Sequence, residues 1–166
     1  MPRAIALLIP LLFSSLALAD NTELTQLAAE DQAVRTGAPD PRSDDVRRTR
    51  VLELLASGEA TSPKDKFNAA LVLQHTGLVS CDGEIKSLSA ENYLLAHFLF
   101  KQAMAGGVKS SNYLAAASID RYLSFTVGRQ RYGTNRLIDQ TTGTVAAQFA
   151  NMVEITPFQL ESHTWM

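Results

Sequence analysis

The chain has one cysteine, Cys81, so no disulfide can close within it. It also has no H-E-x-x-H motif, and its three histidines, His75, His97 and His163, are dispersed. These absences argue against a metal centre. No glycine-rich loop is present to cradle a nucleotide phosphate, so no cofactor is expected. A G-x-S-x-G elbow is missing as well, which leaves Ser118 as a nucleophile candidate only by its place in the sequence. Basic residues do not predominate: 15 Lys and Arg face 17 Asp and Glu, a formal charge of −2. That balance argues against general nucleic-acid binding. There is no internal repeat and no low-complexity stretch.

One long apolar run is present, and it lies at the start. Arg3 forms a short basic region, Ala4 to Leu16 is almost unbroken apolar sequence, and Ala17-Leu18-Ala19 supplies small residues where a signal peptidase reads. Residues 1–19 are therefore expected to be a secretory leader, cleaved after Ala19. The protein is then periplasmic or secreted, and has no membrane segment after cleavage. No cysteine follows the site to carry a lipid. Residues 20–166 are the length of one domain, with a core at about 22–135 and a C-terminal appendage at 136–166.

Caps and stops predict a mainly α fold, a compact antiparallel bundle of about five helices. Asn21 caps the first, which runs from Thr22 to Thr36 and stops at Gly37. Ser43 caps the second, Asp44 to Ser57, whose two leading aspartates suit the positive end of the helix dipole. Ser62-Pro63-Lys64-Asp65 opens the third, which ends near His75 ahead of Gly77. Leu78 to Leu88 is read as a loop, with Ser80-Cys81-Asp82-Gly83 as an exposed turn bearing an unremarkable thiol. Ser89 caps the fourth helix, whose stripe of Ala96, Leu99, Phe100, Ala103 and Met104 marks the core. Ser110 or Ser111 caps the fifth, which reaches Val127 before Gly128. Beyond Gly133, β-branched residues around Gly143 suggest a short C-terminal β-hairpin or an irregular tail.

Polar residues interrupt the core stripes in a shared way. On the first helix Leu24, Leu27 and Ala28 lead into Asp31 and Arg35; on the third, Phe67, Ala70 and Leu71 lead into Gln74 and His75. The fifth carries Asp120 and Arg121 and ends in Gly128-Arg129-Gln130-Arg131-Tyr132-Gly133-Thr134-Asn135. Sequential helices on short loops are antiparallel, so the first, third and fifth point the same way. Asp31, Arg35, Gln74, His75, Gln130, Tyr132 and Thr134 are thus expected at one end of the bundle, with Asp120 and Arg121 just below. His97, one turn from Tyr93 and Lys101, is read as a flank residue, and Arg129, Arg131 and Arg136 as a solvated basic turn.

These residues also resemble an uncharacterised bacterial family, a domain of unknown function with a D-Q-x-x-R, Q-H, D-R and Q-x-Y/F-G-T signature. Here the motifs are Asp31-Gln32-Ala33-Val34-Arg35, Gln74-His75, Asp120-Arg121 and Gln130-Arg131-Tyr132-Gly133-Thr134. The resemblance spans Leu24 to Asn135, where Asn135 replaces the Gln frequent in that family. It implies a short helical fold and these site positions, and no known activity.

Buried charges must be paired and hydrogen-bonded, so such a cluster serves as a register-fixing network or as a pocket. Two functions fit. The first is a binding module whose polar pocket takes a small molecule, a peptide or a partner protein. The second is a hydrolase-type enzyme with His75 as base, oriented by Asp31 or Asp120, and Arg35 or Arg121 meeting developing negative charge. Whether the chain is an enzyme stays open at this stage.

Overall fold

Five helices and one hairpin succeed one another in the computed structural model, which describes residues 19–134. They are α1 (Thr22–Arg35), α2 (Asp44–Ala56), α3 (Pro63–Leu73), β1 (Leu78–Cys81), β2 (Glu84–Ser87), α4 (Glu91–Ala105) and α5 (Ser111–Thr126). The protein is mainly α, an antiparallel helical bundle. Among the described residues no helix is long and apolar enough to cross a membrane. The expected C-terminal hairpin and residues 1–18 lie outside the described residues.

Local chemistry explains where the first three helices begin. The side chain of Asn21 accepts from the Leu24 N–H, and that of Ser43 from the Val46 N–H. Ser62 and Asp65 form a reciprocal capping box with Pro63 in the first turn. The serines ahead of α4 and α5 behave differently. Ala90, not Ser89, precedes α4, and no side chain caps it. The Ser89 hydroxyl donates to Glu91 Oε2 over 2.7 Å and accepts from no helix N–H. Ser110 precedes α5 without a side-chain cap, and Ser111 is fully buried.

The stretch read as a loop after α3 is a hairpin. β1 and β2 pair antiparallel with Cys81 opposite Glu84, and Asp82 (φ 53°) and Gly83 (φ 80°) form the turn. Two successive left-handed residues match the right-handed twist of a two-residue hairpin, and Asp-Gly is a sequence that accepts them. β1 carries no alternation, since all four of its residues are exposed, and β2 alternates over only four residues. Cys81 is an exposed free thiol.

α3 is the centre of the bundle. It packs against α1, α2 and α4, and α4 carries α5 on its other side. Leu24, Leu27, Val51, Leu54, Leu73 and Phe100 are sealed in this core, where each large apolar side chain contributes about 1.5–3 kcal/mol. Phe67 meets Phe100 edge to face at 5.6 Å between ring centres. Small residues set the closest approaches: a Cβ built on Gly106 would overlap the Pro63 ring. G106A is therefore expected to destabilise by about 1–3 kcal/mol in urea unfolding, as overpacked cores do. Unchanged stability would mean that the start of α3 shifts freely against the end of α4.

Candidate functional site

α3 runs out at Leu73, and the carbonyls of the next three residues lie beyond its hydrogen-bond ladder. Three side chains from three other helices take them. Arg121 of α5 donates to the Gln74 carbonyl, Arg48 of α2 to that of His75 over 3.1 Å, and the Tyr93 hydroxyl of α4 to that of Thr76 over 2.9 Å. Two guanidiniums at a helix C-terminus also meet the negative end of its dipole. Thr76 is held further, since its hydroxyl accepts from Asn92 Nδ2 at 3.0 Å.

α1 delivers a carboxylate to the same turn. Asp31 accepts from His75 Nδ1 at 2.6 Å, Gln32 Nε2 at 2.8 Å and Arg35 at 3.2 Å. An ionised carboxylate only accepts, so Nδ1 of His75 carries the proton and Nε2 of the neutral ring is left as an acceptor. Asp31 is 1% exposed, whereas the His75 side chain keeps 20% of its surface in solvent. Arg35 reaches on to both oxygens of Asp44 at 2.8 Å, tying α1 to the first turn of α2. Burial works against the Arg35 charge, but Asp44 and Asp31 outweigh it and raise its pKa. Arg121 shifts the other way: burial pushes its pKa down, and nearby Arg35 adds like charge. The Tyr93 phenol is raised by burial in the same region.

A second polar cluster adjoins the first along α5. Asp120 is fully buried, and its Oδ1 accepts from the Arg131 and Tyr132 N–H groups at 2.8 and 2.9 Å. Its Oδ2 accepts from the Thr134 N–H and hydroxyl, both at 2.8 Å. The segment 131–134 is thereby wrapped around one carboxylate, with Gln130 and Tyr132 buried beside it. The two clusters are linked through Gln74, whose Oε1 lies 3.4 Å from the Ser118 hydroxyl while its backbone holds Arg121.

The structure thus brings Asp31, Arg35, Gln74, His75 and Arg121 together, and groups Asp120 with Gln130, Tyr132 and Thr134. One expectation is corrected. Asp120 does not orient His75, because both of its oxygens are held by the 131–134 segment; Asp31 performs that role. Ser118 is fully buried and directed to Gln74 rather than to His75, which removes it as a nucleophile. His97 is half-buried rather than a plain flank residue. Its Nδ1 donates to the Ala115 carbonyl at 2.8 Å, and burial lowers its pKa. Arg131 is exposed with its guanidinium 5.4 Å from the Tyr132 ring centre, and Arg129 is exposed. Among the described residues no three His, Cys, Asp or Glu side chains are grouped as a metal site.

Arg47 and Arg48 were not anticipated. Arg47 is completely buried between Asp40, Asp44 and the Arg42 carbonyl; burial opposes its charge, and the two aspartates raise its pKa above the ordinary value. Their signal was present in the sequence. Arg47, Val51 and Leu54 share one helical stripe, the same charge-into-apolar pattern that identified Asp31.

Fold and site together define a mainly α protein with a polar network closing one end of its bundle. No family model matches the chain, and no curated protein or solved structure is significantly similar to it.

Proposed function

We propose that this is a periplasmic or secreted binding module that receives its ligand at the His75 end of the bundle. The observation that carries the reading is the Asp31–His75 pair. A sealed carboxylate holds the ring at 2.6 Å, while a fifth of the His75 side chain stays open to solvent. The exposed edge makes the held ring reachable by a ligand. Its free Nε2 offers an acceptor when neutral and a donor when protonated, beside the Arg35 and Arg121 guanidiniums. A small molecule, peptide or protein segment with both donor and anionic groups suits such an edge. The resemblance to the family carrying the D-Q-x-x-R signature is supported by one feature: its motif residues Asp31, Arg35, Gln74, His75 and Arg121 share one network.

The test compares wild type with H75A. Ligand capture from a periplasmic extract, read by mass spectrometry, is expected to fall about tenfold, the loss of one charge-assisted hydrogen bond. The melting temperature is expected to fall as well, because H75A strips a hydrogen bond from the sealed Asp31 carboxylate, so capture is compared at a temperature where both proteins are folded. A large drop in melting temperature with no ligand on the wild type would reduce the pair to a structural role.

A hydrolase-type enzyme is the second reading, favoured by the same geometry. Asp31 holding Nδ1 leaves Nε2 free to take a proton from a substrate hydroxyl or a water, with Arg35 or Arg121 meeting negative charge. Ser118 is sealed, so water would be the attacking group. Turnover of a panel of chromogenic esters by wild type, lost in H75A, would favour it over binding alone.

A further inference from the structure

The two residues that follow the expected leader already belong to the fold. Asp20 Oδ1 accepts from the Ser62 hydroxyl at 2.7 Å, and the Asn21 N–H donates to Asp65 Oδ1 at 2.7 Å. Both anchors are sealed, Ser62 at 3% and Asp65 at 0% exposure. Asn21 is held from its other side as well, since its side chain caps α1 through the Leu24 N–H at 3.0 Å. Helical backbone begins at Thr22. The Ala19–Asp20 bond is therefore followed by a side-chain tether at Asp20 and by pinned backbone from Asn21, although Ala19 and Asp20 are themselves exposed.

We propose that the Ala19–Asp20 bond is a processing site offered only by the unfolded precursor, and that Ser62 and Asp65 close it by latching Asp20 and Asn21 as the domain folds. The inference rests on reading residues 1–19 as a secretory leader. A peptidase adds water across this bond, so Ala19 leaves with the new carboxylate and Asp20 keeps the new amine. To do so it must hold several residues on both sides in an extended form. Downstream, that form requires the Ser62 and Asp65 hydrogen bonds to break and the first turn of α1 to unwind. Cleavage of a folded precursor then follows the rare opened state, and its rate falls with the population of that state. Leader removal consequently precedes docking of α1 onto the start of α3.

The experiment uses the full precursor and purified leader peptidase in detergent micelles, with products read by mass spectrometry. Urea-unfolded precursor, diluted directly into peptidase, is expected to be cut after Ala19. Precursor allowed to refold first is expected to be cut at least about tenfold more slowly. A Gly-Ser-Gly-Ser spacer inserted between Ala19 and Asp20 leaves the latch intact and moves the bond away from it; it should restore fast cleavage of the folded chain. Asp20→Ala, which removes one latch contact and neither helix cap, should recover part of the rate. Equal rates for folded and unfolded wild type, or a spacer without effect, overturn the proposal. If the unfolded precursor is not cut after Ala19, the leader reading itself fails, and the proposal with it.

Discussion

Asp120→Ala is expected to destabilise the protein by about 3–5 kcal/mol, the range for breaking a buried charged network from one side. The carboxylate is fully buried and accepts four hydrogen bonds, three of them from backbone N–H groups of residues 131, 132 and 134. Alanine supplies no acceptor, and each stranded donor costs about 1–3 kcal/mol. The 131–134 segment lies outside the helices and the hairpin, so it should loosen from α5. Asp120→Asn retains one acceptor oxygen but turns an NH2 toward N–H donors, and an intermediate loss is expected. Urea unfolding gives the magnitude, and amide exchange at Arg131, Tyr132 and Thr134 locates it. A loss below about 1 kcal/mol would mean that water replaces the carboxylate and that the wrapped segment contributes little.

A comparable loss, about 3–4 kcal/mol, is expected for Asp65→Ala, because this residue serves two helices at once. Its Oδ2 accepts from Thr61 at 3.1 Å and Ser62 at 2.9 Å, completing the α3 capping box, while Oδ1 takes the Asn21 N–H at the head of α1. An exposed N-cap typically contributes about 1 kcal/mol. Here burial removes the water that would otherwise compensate the lost bonds. The carboxylate also sits at the positive end of the α3 dipole. Exchange should accelerate at Asn21 and Leu24 as well as at Ser62. Acceleration confined to α3 would show that the start of α1 does not depend on Asp65.

The helix starts were legible because capping is local. Asn21, Ser43 and Ser62 each act on an N–H three residues away, a span visible in the sequence. The convergence of Asp31 with His75 was legible for a different reason. Stripe position gave the face, short connections gave helix direction, and together they put two residues separated by 44 positions at one end. Pairing within that end was not legible. Asp31 and Asp120 are both carboxylates on helices that point the same way, and only the path of residues 130–134 decides that Asp120 is wrapped by backbone. The hairpin was missed although Asp82-Gly83 signalled its turn, since β1 is exposed along its whole length and only the four residues of β2 alternate.

The sequence by itself determined the class of fold and the end of the bundle where polar groups collect. Tertiary structure alone decided that Arg48, Tyr93 and Arg121 each take one carbonyl beyond α3, and that His75 belongs to Asp31. The physical reason is range. Caps, stops and helical periodicity act over one or two turns and are written in neighbouring residues. A hydrogen-bond partner across the core is chosen by distances set only when several helices have packed.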